Sequence, residues 1–424
     1  MIVETGRLRL SRDARLLLVA RGLRAFTDGL VSIALPLYLV ARGFSPLQIG
    51  ALVTATLLGS AAVTLGVGVW GHDWPATALL RWVAVAMAGT GALFSLFESY
   101  VPLLVVATIG TLNPSSGDVS VFLPTEQALL PATAPDRHRT ALFARYSFVG
   151  FFLAALGSLA AALPETIGGA AGWSVAASLR VTFGVYAAVG IVVWITYGRL
   201  SPTMGQPDPQ PDPDPDSAGV AGRSRRFGAL GPSKAVVYRL AALFSLDAFG
   251  GGFVVQSILV LWLTQRHGFS ATTAGVLFFW AGVASAASAL AAPRLARRIG
   301  LIRTMAFTHL PANVFLMAAA VMPNATSAVV FLLARALLSQ MDVPARTSYV
   351  MAVVTAAERP AAASLTNVPR SLAAAATPLA AGWLLSRTSF GWPLVLGGAL
   401  KVVYDLLLLW MFHDVRPPEE RAAG

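Results

Sequence analysis

The chain has 424 residues, 56 % of them apolar and only 12 % charged, with a formal net charge of +11; mean hydropathy is +0.68. A soluble domain usually carries roughly twice that charge fraction, so too few polar residues remain to cover a water-soluble core, and membrane lipid is the expected surrounding. Nucleic acid is not an expected partner, because its binders gather Lys and Arg on one solvated face. Here every basic residue but Lys234 and Lys401 is Arg, in short bursts between apolar runs.

The first apolar run follows Arg7, Arg9, Arg12 and Arg15 and continues to Ala41. It is too long for a signal-peptide core and has no convincing cleavage site, so it is read as a retained first helix. A hydrocarbon core of about 30 Å takes roughly 20 apolar residues per helix. Further runs place spans near 47–70, 78–97, 101–129, 140–163 and 181–199, then 236–265, 270–293, 301–322, 326–354, 361–386 and 391–412, twelve in all. Between the sixth and seventh, Pro207 to Asp216 alternates proline with mostly acidic residues. Such a segment buries no apolar area and reads as an extended spacer. The expected organisation is a six-helix bundle over 1–200, a Pro/Asp-rich cytoplasmic linker over 201–235 and a second bundle over 236–424.

Loop charge sets the orientation. Arg137, Arg139, Arg294, Arg297, Arg298, Arg303 and Arg359 fall on one side with the arginines of the linker and the C-terminus; Arg42, Arg266, Arg387 and Arg180 fall on the other. The positive-inside rule then places both termini in the cytoplasm. The halves also repeat. Gly43-Phe44-Ser45 recurs as Gly268-Phe269-Ser270, and at the same offset Gly50 matches Gly275, Leu52 matches Leu277 and Ser60-Ala61 matches Ser285-Ala286. Ser45 and Ser270 suit the N-cap of the following span, with Pro46 in its first turn. Asp136-Arg137 and Glu358-Arg359 make a second matched pair of joints. Two six-helix repeats in parallel orientation form a transporter plan.

On these repeated joints, and on Gly110-Thr111-Leu112-Asn113-Pro114-Ser115-Ser116-Gly117-Asp118 and Ser339-Gln340-Met341-Asp342-Val343-Pro344, the chain resembles the major facilitator superfamily over nearly its whole length. The resemblance implies two six-helix bundles facing a central cavity that opens alternately to each side. It also implies that the fourth span of each half faces that cavity and that the last span is peripheral. The family's Gly-x-x-x-Asp-Arg-x-Gly-Arg-Arg loop is degenerate here. After the second span the chain reads Gly66-Val67-Gly68-Val69-Trp70-Gly71-His72-Asp73, and in the second half Arg297 stands where the acid belongs. The antiporter signature of the fifth span is missing.

Ionisable residues inside spans are costly and therefore functional candidates. Asp28 lies four residues beyond Arg24, and reads either as a protonation site or as a partner in a helix-end ion pair. Asp118 follows Asn113-Pro114 and Gly117, which interrupt the fourth span; a carboxylate beside such a break could take and release a proton. Glu126, followed by Gln127, could pair with Arg145 on the next span. Asp247 precedes Gly250-Gly251-Gly252, with Gln256 beyond it. Asp342 and Arg346 stand one turn apart around Pro344, near Gln340, and Arg346 or Arg370 could attract an anionic group. Lys401 and Asp405, four apart, can neutralise each other; Arg335 has no local partner, and His309 reads as a packed polar residue. Proton-coupling candidates are thus Asp28, Asp118, Asp247 and Asp342. Cavity candidates are Asn113, Glu126, Gln127, Arg145, Gln256, Gln340, Arg346 and Arg370.

No phosphate-cradling loop ends in Gly-Lys-Ser/Thr, no His-Glu-x-x-His helix occurs, and no Gly-x-Ser-x-Gly elbow occurs. No cofactor, metal or catalytic group is therefore expected. The reading is an all-α membrane protein rather than an enzyme: a monomeric secondary transporter of a small-molecule substrate in the bacterial inner membrane. Protons are the expected driver, and export the expected direction, with proton-coupled uptake or facilitated passage of a polar nutrient, or a sensor that moves nothing, as alternatives.

Overall fold

The structure is a computed structural model that describes residues 10–70, 74–115, 122–133, 139–201, 204, 233–354 and 358–412. The acidic proline-rich spacer and Asp136-Arg137 lie outside the described residues, as do His72 and Asp73 of the degenerate loop. Helices of the first half are α1 (Arg12–Ala41), α2 (Pro46–Trp70), α3 (Ala76–Leu96), α4 (Tyr100–Ile109), α5 (Phe122–Leu129), α6 (Arg139–Ala160), α7 (Ala162–Ala170) and α8 (Val175–Tyr197). Those of the second are α9 (Lys234–Gly252), α10 (Gln256–His267), α11 (Ala271–Ile299), α12 (Leu301–Val321), α13 (Ala325–Ala336), α14 (Asp342–Val353), α15 (Arg359–Arg387) and α16 (Trp392–Phe412).

Local chemistry sets the ends. The Ser11 side chain accepts the Ala14 amide at 3.1 Å to start α1. At the repeated joints Gly43 and Gly268 adopt φ of 82° and 69°, a region that only glycine enters without strain. In the first joint the Ser45 amide donates to the Gln48 side chain at 2.8 Å while Ser45 Oγ accepts the Gln48 amide at 3.3 Å. Ser270 and Thr273 form the same reciprocal cap at the head of α11. The sixth span begins at Val175, six residues before the sequence expectation, because Ser174 caps it through the Ala177 amide.

Among the described residues, nine helical stretches are long and apolar enough to cross a membrane. The pairs α4–α5 and α13–α14, together with α15, fit the remaining positions of the twelve-span arrangement expected from the sequence. The fourth, seventh and tenth spans are broken. The break in the fourth begins already at Gly110. In the tenth it falls at 337–341, ahead of Pro344, which sits in the first turn of α14, where a missing N–H costs little. Trp82, Leu96, Val101, Ile109, Leu290 and Trp410 are each more than half exposed, as expected of helix faces turned to lipid rather than to water.

Packing repeats span for span. In the first half α1 packs on α6 and α8, and α3 on α8; in the second α9 packs on α15 and α16, and α12 on α16. Between the halves, α2 meets α15 and α6 meets α11, contacts that exchange with each other when the halves are interchanged.

The closest approaches between the halves lie at the end remote from the termini. A Cβ on Gly50 would stand 2.4 Å from the Pro378 carbonyl oxygen and 2.9 Å from the Gly382 Cα. Beside it the Leu379 amide donates to Thr54 Oγ1 at 2.9 Å. Ser257 at the head of α10 donates to the carbonyls of Pro114 and Ser32 at 2.8 and 3.1 Å. Gly275 packs on the backbone of Ser158. This end of the bundle pair is shut.

Overpacking a backbone contact costs about 1–3 kcal/mol, so Gly50→Val is expected to loosen this closure. Ser158, only 2 % exposed, makes a good reporter because the chain has no native cysteine. Labelling of Ser158→Cys by a membrane-impermeant maleimide added on the side opposite the termini is expected to rise by at least about fivefold in the Gly50→Val background.

Candidate functional site

In the first half the buried charges meet on Glu126. Arg24 of α1 forms an ion pair with it, and the Tyr146 hydroxyl of α6 donates to the same carboxylate oxygen. The Tyr197 hydroxyl of α8 donates to the other oxygen at 2.7 Å. The Arg24 guanidinium also lies 4.2 Å from the centre of the Phe122 ring. With Arg24 and Glu126 exposed by 2 % and 0 %, this cluster ties four helices together.

Two pairings expected from the sequence are corrected here. Glu126 does not use Arg145, which is exposed. Tyr146 already points inward, and one residue along a helix turns a side chain by about 100°. Arg24 likewise turns to Glu126 rather than down its own helix to Asp28. Asp28 instead accepts from the Asn113 side-chain amide at 3.3 Å, and Asn113 in turn accepts from the Ser115 hydroxyl at 2.7 Å. The break in the fourth span thus supplies a neutral partner to a carboxylate of the first. Gln127 is exposed, and Asp118 lies outside the described residues.

In the second half the hub is Asp247 of α9. Lys401 of α16 donates to one of its oxygens at 2.6 Å and Arg346 of α14 to the other at 3.1 Å. Arg346 also stands 3.6 Å from Asp342, the one-turn pair anticipated from the sequence. The Lys401–Asp405 pairing is corrected. Both side chains point into the bundle, but Asp405 contacts His309 Nδ1 at 2.9 Å and accepts from Asn313 at 3.1 Å. His309 Nε2 in turn lies 3.8 Å from Asp247, so the imidazole bridges two carboxylates instead of merely packing. The last span keeps the peripheral place implied for it, with Val403, Leu406 and Trp410 exposed, while its inward face buries Lys401 and Asp405 at 7 % and 0 % exposure. The signal for His309 and Asn313 was their i, i+4 spacing, which puts two polar side chains on one face of an apolar helix.

Between the halves lies a cavity of about 530 Å³, within the range of small-molecule sites. Arg21 and Asp28 of α1, Gln256 of α10, Gln340 of the 337–341 break, Arg335, Arg346 and Arg370 form its charged and amide lining. Asn113, Glu126, Asp247 and Asp342 are buried outside this lining, and Asp247 and Asp342 adjoin it only through Arg346. Arg21 and Arg335 were not anticipated as cavity residues. Each is an arginine in an apolar run whose facing is decided by packing alone.

The model of the Major Facilitator Superfamily matches residues 17–343. The chain belongs to the major facilitator superfamily. A relative in Saccharomyces cerevisiae, the uncharacterized membrane protein YJR124C, is 22 % identical over 96 % of this chain and 95 % of its own length. Among solved structures, a D-xylose–proton symporter superposes with a TM-score of 0.75 at 15 % identity, covering 94 % of this chain and 97 % of its own. A bacterial homologue of the human lysosomal transporter Spinster gives 0.73 at 16 % over 95 % and 97 %. The nucleoside transporter NupG gives 0.69 at 13 % over 95 % and 99 %. The fold is that of a multi-pass membrane transporter.

For this superfamily member, stability is expected to follow the observed pairing. Arg24→Met leaves Glu126 buried without its cation and should cost about 3–5 kcal/mol. Arg145→Met should stay within about 0.5 kcal/mol. Thermal unfolding of the detergent-purified variants separates the two.

Proposed function

We propose that the chain is a secondary active transporter that moves a small solute by alternating access and is energised by protons. Export by antiport is the working direction, and uptake by symport is the alternative that the same geometry accommodates. The arginine-rich loops favour a bacterial inner-membrane placement with cytoplasmic termini, so the shut outer end leaves the cavity facing the cytoplasm. A monomer suffices, because the cavity is built within one chain. The observation that carries the transport reading is this cavity, enclosed by two span-for-span repeats that touch at one end.

Proton coupling rests on a charge count in the second half. Asp247, Asp342 and Asp405 set three carboxylates against two fixed cations, Lys401 and Arg346. These direct contacts leave one carboxylate without a cation of its own, and His309, between Asp247 and Asp405, is the place assigned to the transported proton. His309 faces Asp247 on α9, Asp405 and the Tyr404 ring on α16, and Asn313 on its own helix. Arg346 joins this cluster to the cavity wall. Loading or unloading the proton changes the hold on Arg346, and with it the charge that a solute meets. Asp28, the carboxylate on the described cavity wall, is the second candidate; Asp118 remains a third.

The test needs no known solute. A cysteine at Ala281, on the cavity wall, is expected to react with an impermeant maleimide from either side of the membrane. The ratio of the two rates should shift between pH 5.5 and pH 8. His309→Gln should keep two-sided reactivity and lose most of the pH response. Reactivity from one side only, at every pH, contradicts transport; an unchanged pH response in His309→Gln contradicts this proton site.

A further inference from the structure

The cavity wall carries four arginines, Arg21, Arg335, Arg346 and Arg370, against one carboxylate, Asp28, among the described residues. Arg346 is matched by Asp247 and Asp342. Arg335 and Arg370 differ. The Nε of each is buried without a hydrogen-bond partner, and neither guanidinium has an ion-pair partner among the described residues. Arg21, the fourth, lies 5.2 Å from the centre of the Tyr146 ring.

A guanidinium at membrane depth without a counter-charge is costly, and cations there pair with carboxylates or face a water-filled path. Two such groups, on α13 and α15, line one cavity. Their planar forks match carboxylate and phosphate oxygens two at a time. The remaining wall supplies amides from Gln256 and Gln340 and apolar surface from Phe151, Leu259 and Phe278. That lining suits a solute with a compact neutral body and one anionic head.

We infer that the transported solute is a small organic anion whose carboxylate or phosphate is held by Arg335 and Arg370. This rests on the transport reading above. The unmatched cations are the counter-charge that the solute completes, so binding removes a cost that their burial imposes. Binding is thereby selective for charge before shape.

The experiment is thermal unfolding of the detergent-purified full chain with succinate, gluconate and glucose 6-phosphate, against glucose, glycerol and choline. At least one of the three anions should raise the unfolding temperature, and the uncharged and cationic probes should not. Without any probe, Arg335→Gln and Arg370→Gln should melt no lower than the wild type, because each removes an unmatched cation; a structural role would lower both. With the active anion, each variant should need at least about tenfold more for the same shift, while Arg145→Gln behaves as wild type. A shift confined to uncharged or cationic probes, no response to any of the anions at millimolar concentration, or an unchanged anion response in both variants overturns the inference. So does a shift given by phosphatidylglycerol in the micelle and by no soluble anion, which would assign the arginines to a lipid headgroup. Two-sided reactivity of Ala281→Cys with no anion response leaves transport standing and removes the anion; an anion response with one-sided reactivity does the reverse.

Discussion

A charge carried to membrane depth must find a counter-charge or a path to water, and this requirement organises the molecule. Glu126 draws α1, α5, α6 and α8 together because Arg24, Tyr146 and Tyr197 all satisfy one carboxylate. Asp247 does the same for α9, α14 and α16 through Arg346 and Lys401. Each half therefore has a polar hub inside an otherwise apolar bundle. Apolar packing holds helices against one another without fixing their rotation closely, whereas an ion pair in low dielectric tolerates little displacement. The hubs set rotation, and rotation decides which arginines are left facing the cavity.

The two hubs are unlike in composition although the bundles that hold them repeat. The first is one acid, one base and two phenols, balanced without a titrating partner. The second gathers three carboxylates, the two cations in contact with them and a histidine. The proposed proton site thus sits in one bundle of a repeated scaffold, while the hub of the other bundle sets one acid against one base. Contact between the bundles is concentrated in α2 with α15 and α6 with α11, where glycines such as Gly50 and Gly382 bring backbone against backbone. Such surfaces can part and reform with little repacking of side chains.

The fold was legible in the sequence because its signals are local. Runs of about twenty apolar residues placed the first span at 16–41 against an observed Arg12–Ala41, and the last at 391–412 against Trp392–Phe412. The Gly-Phe-Ser joints announced the repeat, and their glycines do take the positive φ that makes them necessary. The site was legible only in part. Which residues would be charged at depth could be read directly, and Asp28, Gln256, Gln340, Arg346 and Arg370 stand on the cavity wall. Who pairs with whom could not, because spacing of four residues suggests partners on one helix. Lys401 and Asp405 each reached across the bundle instead, as did Arg24. Partner choice depends on helix rotation about its axis, which long-range packing settles. The breaks in the fourth and tenth spans show the same division: Pro114 and Pro344 marked the regions, but the backbone parts earlier, at Gly110 and at 337–341.

The central claim is that two bundles, each held rigid by its own hub, rock about the cavity between them. Spin labels on exposed sites, at Arg42 and Ser270 near the outer end and at Arg81 and Arg298 near the other, test it directly by pulsed electron-paramagnetic-resonance distances in lipid. The account predicts two populations for each pair, with the outer pair lengthening in the population where the other pair shortens. A single distance for both pairs, unchanged by pH and by added anions, would contradict it.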